Sequence, residues 1–168
     1  CIRDRSETWK RGSAATIREL CGYGAPSMLE KSSGAVYVDV GANFGLTTLP
    51  YASREWTVFA FEPVRLNMEV LKVNTQKYPH VYTFLAAVSN TSGFADIFVP
   101  KGQEDNSAVG GAAVADLNVH TGKVTHEKVE FVTLDEILLK HPNFEVHNVR
   151  VIKIDTQGHE INVLKGMR

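Results

Sequence analysis

The feature that most constrains the fold is a short apolar segment, residues 35–40, which ends in a turn between Gly41 and Gly45. An apolar run of this length bounded by glycine is typical of a buried strand in a parallel sheet. Glycine allows a sharp turn and lets a ligand approach the backbone closely, and a following helix would present free N–H groups to the same crevice. The sequence therefore predicts the start of a ligand-binding α/β fold.

A second apolar run, Thr57–Phe61, ends at Glu62. An acidic residue about 20 positions after such a turn binds ribose hydroxyls in nucleoside-binding folds. The turn lacks the G-x-G-x-x-G pattern of a pyrophosphate site, because Asn43 and Leu46 stand where the second and third glycines belong. It is similar to the first motif of class I methyltransferases, whose S-adenosylmethionine carries no phosphate. A nicotinamide site and a Rossmann-like crossover without a ligand are the alternatives.

A third apolar run, Val149–Ile154, is followed by polar residues and a helical pattern that contains Ile161 and Leu164. Open α/β sheets place ligands outside the carboxyl ends of their strands. Three residues at this strand end are candidates for the reaction, namely Asp155, His159 and Glu160.

The blocks at five places occur in the order and spacing of one family: Val38–Gly45, Phe61–Pro63, Ala87–Asn90, Thr133–Glu136 and Ile152–Gly166. Together they resemble the FkbM-type family of class I S-adenosylmethionine-dependent methyltransferases, from about Ala35 to Met167. The resemblance implies a Rossmann-like class I methyltransferase sheet with flanking helices, S-adenosyl-L-methionine as cofactor, and O-methylation of a hydroxyl on a small molecule or sugar. The family usually has an acid at Gln157, and an amide cannot take up a proton, so no acid–base role is expected there.

The cofactor contacts are expected at seven residues: Asp39, Gly41, Asn43, Gly45, Glu62, Ala87 and Val88. Glu62 would accept hydrogen bonds from the ribose hydroxyls. Asp39 would order the turn or reach the methionine amino group, and Ala87 with Val88 would lie against the adenine.

The candidates for the general base are Asp155, His159 and Glu160. Each has a structural alternative: Asp155 could cap the next helix, His159 could be a surface residue, and Glu160 could interact with the helix dipole. The histidines show no metal-ligand spacing, and no metal is expected.

The charges nearly balance, with 18 basic and 19 acidic residues, so no field favours nucleic acid or a membrane surface. No apolar run has the length of a membrane span, and no signal peptide is recognisable. The two cysteines, Cys1 and Cys21, are read as free thiols. The expected partner is a small-molecule or carbohydrate acceptor, while compartment and oligomeric state are not indicated.

Residues 1–33 are predicted to form an N-terminal helical cap, and residues 34–168 the FkbM-type methyltransferase domain. A class I sheet has three more strands after the one that ends at Asp155, so we expect truncation after strand four and its helix. The start at Cys1 suggests excision from a longer protein, whose removed part could include a membrane anchor. The alternative function is a non-catalytic Rossmann-like scaffold or interaction module.

Finer expectations concern the middle of the chain. Strand three is predicted over residues 81–87, with residues 94–99 as its partner. A helix is predicted over residues 64–76, with Leu66, Val70, Leu71 and Val73 facing inward. Acceptor specificity is expected in the glycine- and alanine-rich residues 101–125, in the N-terminal cap and in residues beyond Arg168.

Overall fold

A computed structural model describes residues 34–100 and 124–167 of this chain. The predicted N-terminal cap, both cysteines and nearly all of the predicted specificity loop lie outside the described residues. The strands are β1 (Val36–Val40), β2 (Thr57–Phe61), β3 (Val81–Phe84), β4 (Ala87–Val88), β5 (Gly93–Pro100), β6 (Val124–Val132) and β7 (Val149–Ile154). The helices are α1 (Thr48–Ala52), α2 (Arg65–Thr75), α3 (Leu134–Leu138) and α4 (Glu160–Lys165), with a 3-10 turn at Val146–Asn148.

The larger sheet contains four parallel strands in the order β3-β2-β1-β7. The chain runs from β1 through β2 to β3 in one direction and then returns to place β7 on the other side of β1. Ligands in open α/β sheets bind where the strand order reverses in this way. The predicted Rossmann-like α/β fold is confirmed, and its reversal point lies between β1 and β7.

The larger sheet is buried on both faces, as parallel sheets usually are. All five residues of β1 are buried, and alternate side chains enter different clusters. Val36, Val38 and Val40 pack in the cluster that contains Phe59 and Phe61. Tyr37 packs on the opposite face, in the cluster that contains Val58, Ala60, Met68 and Leu71. The two-residue period of the strand therefore places Asp39 on the face of Tyr37.

Helix α2 packs on the sheet through a face that differs from the predicted one. Leu71 is buried, but Leu66 and Val73 are exposed, and the polar residues Asn67 and Thr75 are buried instead. Residues 67, 71 and 75 lie four apart and form one stripe along the helix. The prediction for Leu66 and Val73 was wrong because it followed hydrophobicity alone, whereas Asn67 turns inward to donate a hydrogen bond to Glu62.

The smaller sheet has the order β4-β6-β5, with β4 parallel and β5 antiparallel to β6. The prediction of one strand over residues 81–87, paired with residues 94–99, was therefore wrong. The chain leaves the larger sheet after Phe84, whose carbonyl accepts hydrogen bonds from the backbone N–H groups of Glu62 and Ala86 at 3.1 and 3.0 Å. The uninterrupted apolar sequence hides this break, because both parts are hydrophobic.

Residues 34–100 and 124–167 form no helix with the length and apolar character needed to span a bilayer.

Candidate functional site

Three strand ends meet at one edge of the larger sheet, which we call the switch-point edge and define as the residues directly after β1, β2 and β7. The backbone N–H groups of Gly41 and Ala42 both donate to the carbonyl of Phe61, at 3.0 and 2.9 Å. The N–H of Asp155 donates to the carbonyl of Val40 at 3.0 Å. These bonds bring Gly41, Glu62 and Asp155 together, as their strand-end positions predicted.

The two glycines of the turn have backbone conformations that disfavour side chains, with φ of +77° at Gly41 and +90° at Gly45. A Cβ atom on Gly41 would lie 2.0 Å from the carbonyl oxygen of Asp155, and one on Gly45 would lie 2.7 Å from Cδ1 of Leu71. Gly41 is thus required by its packing against backbone, whereas Gly45 is required chiefly by its positive φ, since the end of the Leu71 side chain can shift. Their predicted contact with a cofactor stays a prediction.

Glu62 is buried, with only 4% of its surface exposed. Its Oε1 accepts hydrogen bonds from the Val64 backbone N–H at 3.0 Å and from Asn67 Nδ2 at 3.2 Å. Its Oε2 accepts one bond, from the Asn43 backbone N–H at 2.8 Å. Burial raises the pKa of Glu62, and the three hydrogen bonds oppose that rise. Since a carboxylate offers about four acceptor positions, Oε2 retains one for a ligand hydroxyl.

Asn43 supplies a second acceptor beside Glu62. Its side-chain Oδ1 is buried and has no hydrogen-bond partner among the described residues. Its backbone is held in the left-handed region, with φ of +54°. Buried polar atoms without partners are uncommon in folded proteins, and a donor on a ligand would satisfy this one. Asn43 and Glu62 together therefore fit a hydroxyl-bearing nucleoside such as that of S-adenosylmethionine.

Asp39 is completely buried. Its Oδ2 accepts hydrogen bonds from the hydroxyls of Thr47 and Thr48 at 2.8 and 2.7 Å, at the start of α1. Its Oδ1 lies 3.2 Å from Nζ of Lys153 on β7. Of the two roles expected for Asp39, these contacts favour ordering of the turn.

Lys153 is a site residue that the sequence analysis missed. Its ammonium donates to the carbonyl of Gly41 at 2.6 Å and lies 3.8 Å from Oδ2 of Asp155. The parallel register pairs Lys153 directly with Asp39. The sequence signal that could have found it is a pair of opposite charges within two apolar strands, since a charge in such a strand is costly unless it is paired.

Asp155 presents its side chain to solvent at the switch-point edge, with 59% of the side chain exposed. Apart from Lys153, its neighbour is Gln157, whose Nε2 donates to Oδ1 at 3.5 Å. Gln157 and Gly158 both have positive φ, of +54° and +96°, so the backbone turns sharply directly after Asp155. Asp155 thus has accessible carboxylate oxygens at the switch-point edge.

Glu160 faces its own loop. Its Oε1 accepts hydrogen bonds from the backbone N–H groups of Thr156 and Gly158, at 2.8 and 3.1 Å, and from the Thr156 hydroxyl at 3.2 Å. Burial acts to raise the pKa of Glu160, but its own backbone N–H together with these bonds outweighs burial, and the pKa lies below its usual range. Glu160 therefore stabilises the turn after Asp155, and its low pKa makes it a weak base.

Both ring nitrogens of His159 have partners. Nδ1 lies 3.1 Å from Nδ2 of Asn162, which can only donate, so the hydrogen-bond network assigns the proton to Nε2. Nε2 then donates to the Ser89 hydroxyl at 2.9 Å, and that hydroxyl donates to Oδ1 of Asn90 at 3.2 Å. Burial lowers the pKa of His159, which favours this neutral form. His159 thus joins the start of α4 to the residue after β4. Of the three base candidates, Asp155 has the most accessible proton-accepting atoms.

Ala87 and Val88 are not at the end of strand three, because they form β4 in the smaller sheet. Both are buried: Ala87 packs with Val64 and Phe131, and Val88 packs in the cluster that contains Val132. Their predicted contact with adenine stays a prediction and receives no support from this placement.

The described part of the chain, residues 34–100 and 124–167, contains no group of three or more His, Cys, Asp or Glu side chains placed to hold a metal ion.

Comparison with known proteins identifies the family of this chain. A family model described as the methyltransferase FkbM domain matches residues 39–168. The chain belongs to the FkbM methyltransferase family. It is also 30% identical, over 175 residues, to the hexuronic acid methyltransferase AglP of Haloferax volcanii. That alignment covers 99% of this chain and 62% of the relative, so the chain spans less than two thirds of the relative's length. No solved structure matches the chain.

Proposed function

We propose that this chain is the cofactor-binding and base-carrying part of an S-adenosylmethionine-dependent methyltransferase that methylates a hydroxyl of a carbohydrate. The observation that carries the proposal is the meeting of Glu62 and Asp155 at the switch-point edge. One is a buried carboxylate with an acceptor position left, and the other is an exposed carboxylate. Family membership supports methyl transfer, and the hexuronic acid methyltransferase supports a sugar acceptor.

The residues have separate tasks in this proposal. Glu62 and Asn43 accept hydrogen bonds from the nucleoside, and the bond from the Asn43 N–H to Glu62 fixes the loop between them. S-adenosylmethionine, when bound, supplies a methyl group that its sulfonium has already activated. Asp155 accepts the proton of the acceptor hydroxyl, which raises the nucleophilicity of that oxygen. The remaining requirement is to hold the two reactants in line.

The acceptor class follows from the relative by analogy. A hexuronic acid carries hydroxyls and a carboxylate, and only the hydroxyls need a base, since a carboxylate is already deprotonated at neutral pH. We propose a hydroxyl because Asp155 is an accessible carboxylate at this edge. The product distinguishes the two reactions: a methyl ether withstands mild alkali, whereas a methyl ester is hydrolysed.

The cofactor is tested first, by calorimetric titration of S-adenosylhomocysteine and NADH into separate samples of the chain. Binding of S-adenosylhomocysteine alone is expected. Binding of NADH alone would replace the proposal with a nicotinamide enzyme, and binding of neither would favour a scaffold without this cofactor.

The reaction is tested with S-adenosylmethionine labelled in its methyl group and a panel of glucuronate-containing and neutral saccharides. We expect an alkali-stable labelled product that is lost in Asp155→Asn. An alkali-labile product that persists in Asp155→Asn would retain methyl transfer but refute both the hydroxyl acceptor and the base.

A further inference from the structure

Lys153 places a cation at the centre of the switch-point edge, and no step of the proposed reaction uses it. Its side chain is 24% exposed. The ammonium donates to the Gly41 carbonyl at 2.6 Å and lies 3.2 Å from Oδ1 of Asp39 and 3.8 Å from Oδ2 of Asp155. A single side chain therefore meets oxygens from the β1 strand, from the turn after β1 and from the end of β7.

We propose that Lys153 is a positioning residue that fixes the turn from Gly41 to Gly45 relative to Asp155. The proposal rests on the proposed function in that this turn would bind the cofactor and Asp155 would be the base. The geometry itself concerns only residues of this chain.

The simplest alternative is that Lys153 serves only as the counter-ion of Asp39. Asp39 is fully buried, and a buried carboxylate needs a partner of opposite charge. The register supports this role, because Lys153 and Asp39 are direct neighbours on β7 and β1. However, the contact of 2.6 Å with the Gly41 carbonyl is shorter than the contact of 3.2 Å with Asp39. A counter-ion for Asp39 does not need that additional bond.

The bond to Gly41 matters because it controls one peptide plane. The carbonyl of the Gly41–Ala42 peptide accepts from Lys153, and the N–H of the same peptide donates to the Phe61 carbonyl at 2.9 Å. The plane is therefore held at both ends, and it cannot rotate without breaking one of the two bonds. Without the ammonium, the Gly41 carbonyl would lose its hydrogen bond and this peptide could rotate. The turn that begins there would then hold the Asn43 N–H against Glu62 less firmly.

Three variants separate positioning from charge neutralisation: Lys153→Met, Asp39→Asn, and the double variant that carries both changes. Lys153→Met alone leaves the Asp39 charge buried and unpaired, so it is expected to lower the melting temperature. The double variant removes both charges and should recover most of that loss. Asp39→Asn retains the lysine that donates to Gly41, and the asparagine oxygen can still accept from the two threonine hydroxyls. Its NH₂ group then faces the Lys153 ammonium, so this variant measures the cost of losing the Asp39 charge while the lysine remains.

The readouts are amide hydrogen exchange of residues 41–47 without ligand, and the dissociation constant of S-adenosylhomocysteine measured by calorimetry. In the double variant we expect about tenfold faster exchange in this segment and about tenfold weaker binding, in spite of the recovered melting temperature. Asp39→Asn should accelerate exchange and weaken binding less than the double variant does, because it retains the lysine bond to Gly41. Lys165→Met, which removes an exposed cation from α4, is the net-charge control for Lys153→Met; the double variant leaves the net charge unchanged.

A double variant with wild-type exchange and wild-type affinity would overturn the proposal and leave Lys153 as the counter-ion of Asp39. Faster exchange of the turn in a chain whose wild type binds no S-adenosylhomocysteine would support the positioning role and refute the proposed function. The two proposals can therefore fail separately.

Discussion

Replacing Glu62 with glutamine tests how one buried carboxylate can both hold the turn and bind a ligand. The glutamine oxygen can take the place of Oε1 and keep the bonds from Val64 and Asn67. Its NH₂ group then stands where Oε2 accepts from the Asn43 N–H at 2.8 Å, so two donors face each other. The acceptor position left for a ligand hydroxyl disappears in the same step.

The expected loss of affinity follows from this count of hydrogen bonds. A hydrogen bond to a charged group contributes about 1.5–3 kcal/mol. At 1.4 kcal/mol for each factor of ten, the loss of one such bond weakens S-adenosylhomocysteine binding by about 10- to 150-fold. The effect on the free energy of unfolding is smaller than the about 1–3 kcal/mol expected for one unpaired N–H, because the variant also removes a buried charge.

Calorimetry of S-adenosylhomocysteine binding and urea unfolding curves, measured on the same preparations, check both parts. Glu69→Gln is the matched control, since Glu69 is an exposed carboxylate on α2, and neither quantity should change there. A Glu62→Gln dissociation constant within about twofold of the wild-type value would show that Oε2 accepts nothing from the ligand. The reasoning from its remaining acceptor position would then be refuted.

Three further expectations concern other parts of the site. Burial raises the pKa of Glu62 above 4.5, so S-adenosylhomocysteine affinity should fall as the pH decreases through that raised pKa, whereas the contribution of Glu62 to folding stability falls as the pH rises from 4.5 through it. Calorimetric titrations at a series of pH values from 4.5 upward check the effect on affinity, and Glu62→Gln should abolish it. Gly45→Ala should lower the free energy of unfolding by about 1–2 kcal/mol, because alanine disfavours the left-handed backbone of this position. Gly41→Ala should lower it by more, because the added Cβ would also meet the carbonyl oxygen of Asp155, and equal effects in urea unfolding would contradict this order. Asp155→Asn should keep S-adenosylhomocysteine affinity and lose about 10²- to 10⁴-fold in transfer rate to a saccharide hydroxyl, and unchanged turnover would exclude Asp155 as the base.

The strands that position the site were predictable from the sequence because each is a continuous apolar run with a clear end. The prediction for β2, Thr57–Phe61, and that for β7, Val149–Ile154, agree with the structure residue for residue. The strand ends carry Glu62 and Asp155, and parallel strands bring such ends to one edge. The location of the candidate site could therefore be predicted from the pattern of apolar runs.

The smaller sheet was not predictable in the same way. The partner of β5 is β6, and residues 101–123 separate the two strands along the chain. The alternation of apolar and polar residues indicates that a segment is a strand, but it does not indicate which other strand pairs with it. The shorter connection through the turn after β4 therefore suggested the wrong partner.

The contact between Asp39 and Lys153 was missed for the same reason, because it depends on which strands are neighbours. Asp39 and Lys153 each interrupt an apolar strand, and taken alone each resembles a solvent-facing position. The register makes them neighbours, and their opposite charges allow both to leave water together. Two opposite charges in apolar strands that the fold class already places side by side predict an ion pair at the edge where those strands end. This inference requires that the strand order is known, because on separated strands each of the two residues would be a buried charge without a partner, which is energetically costly.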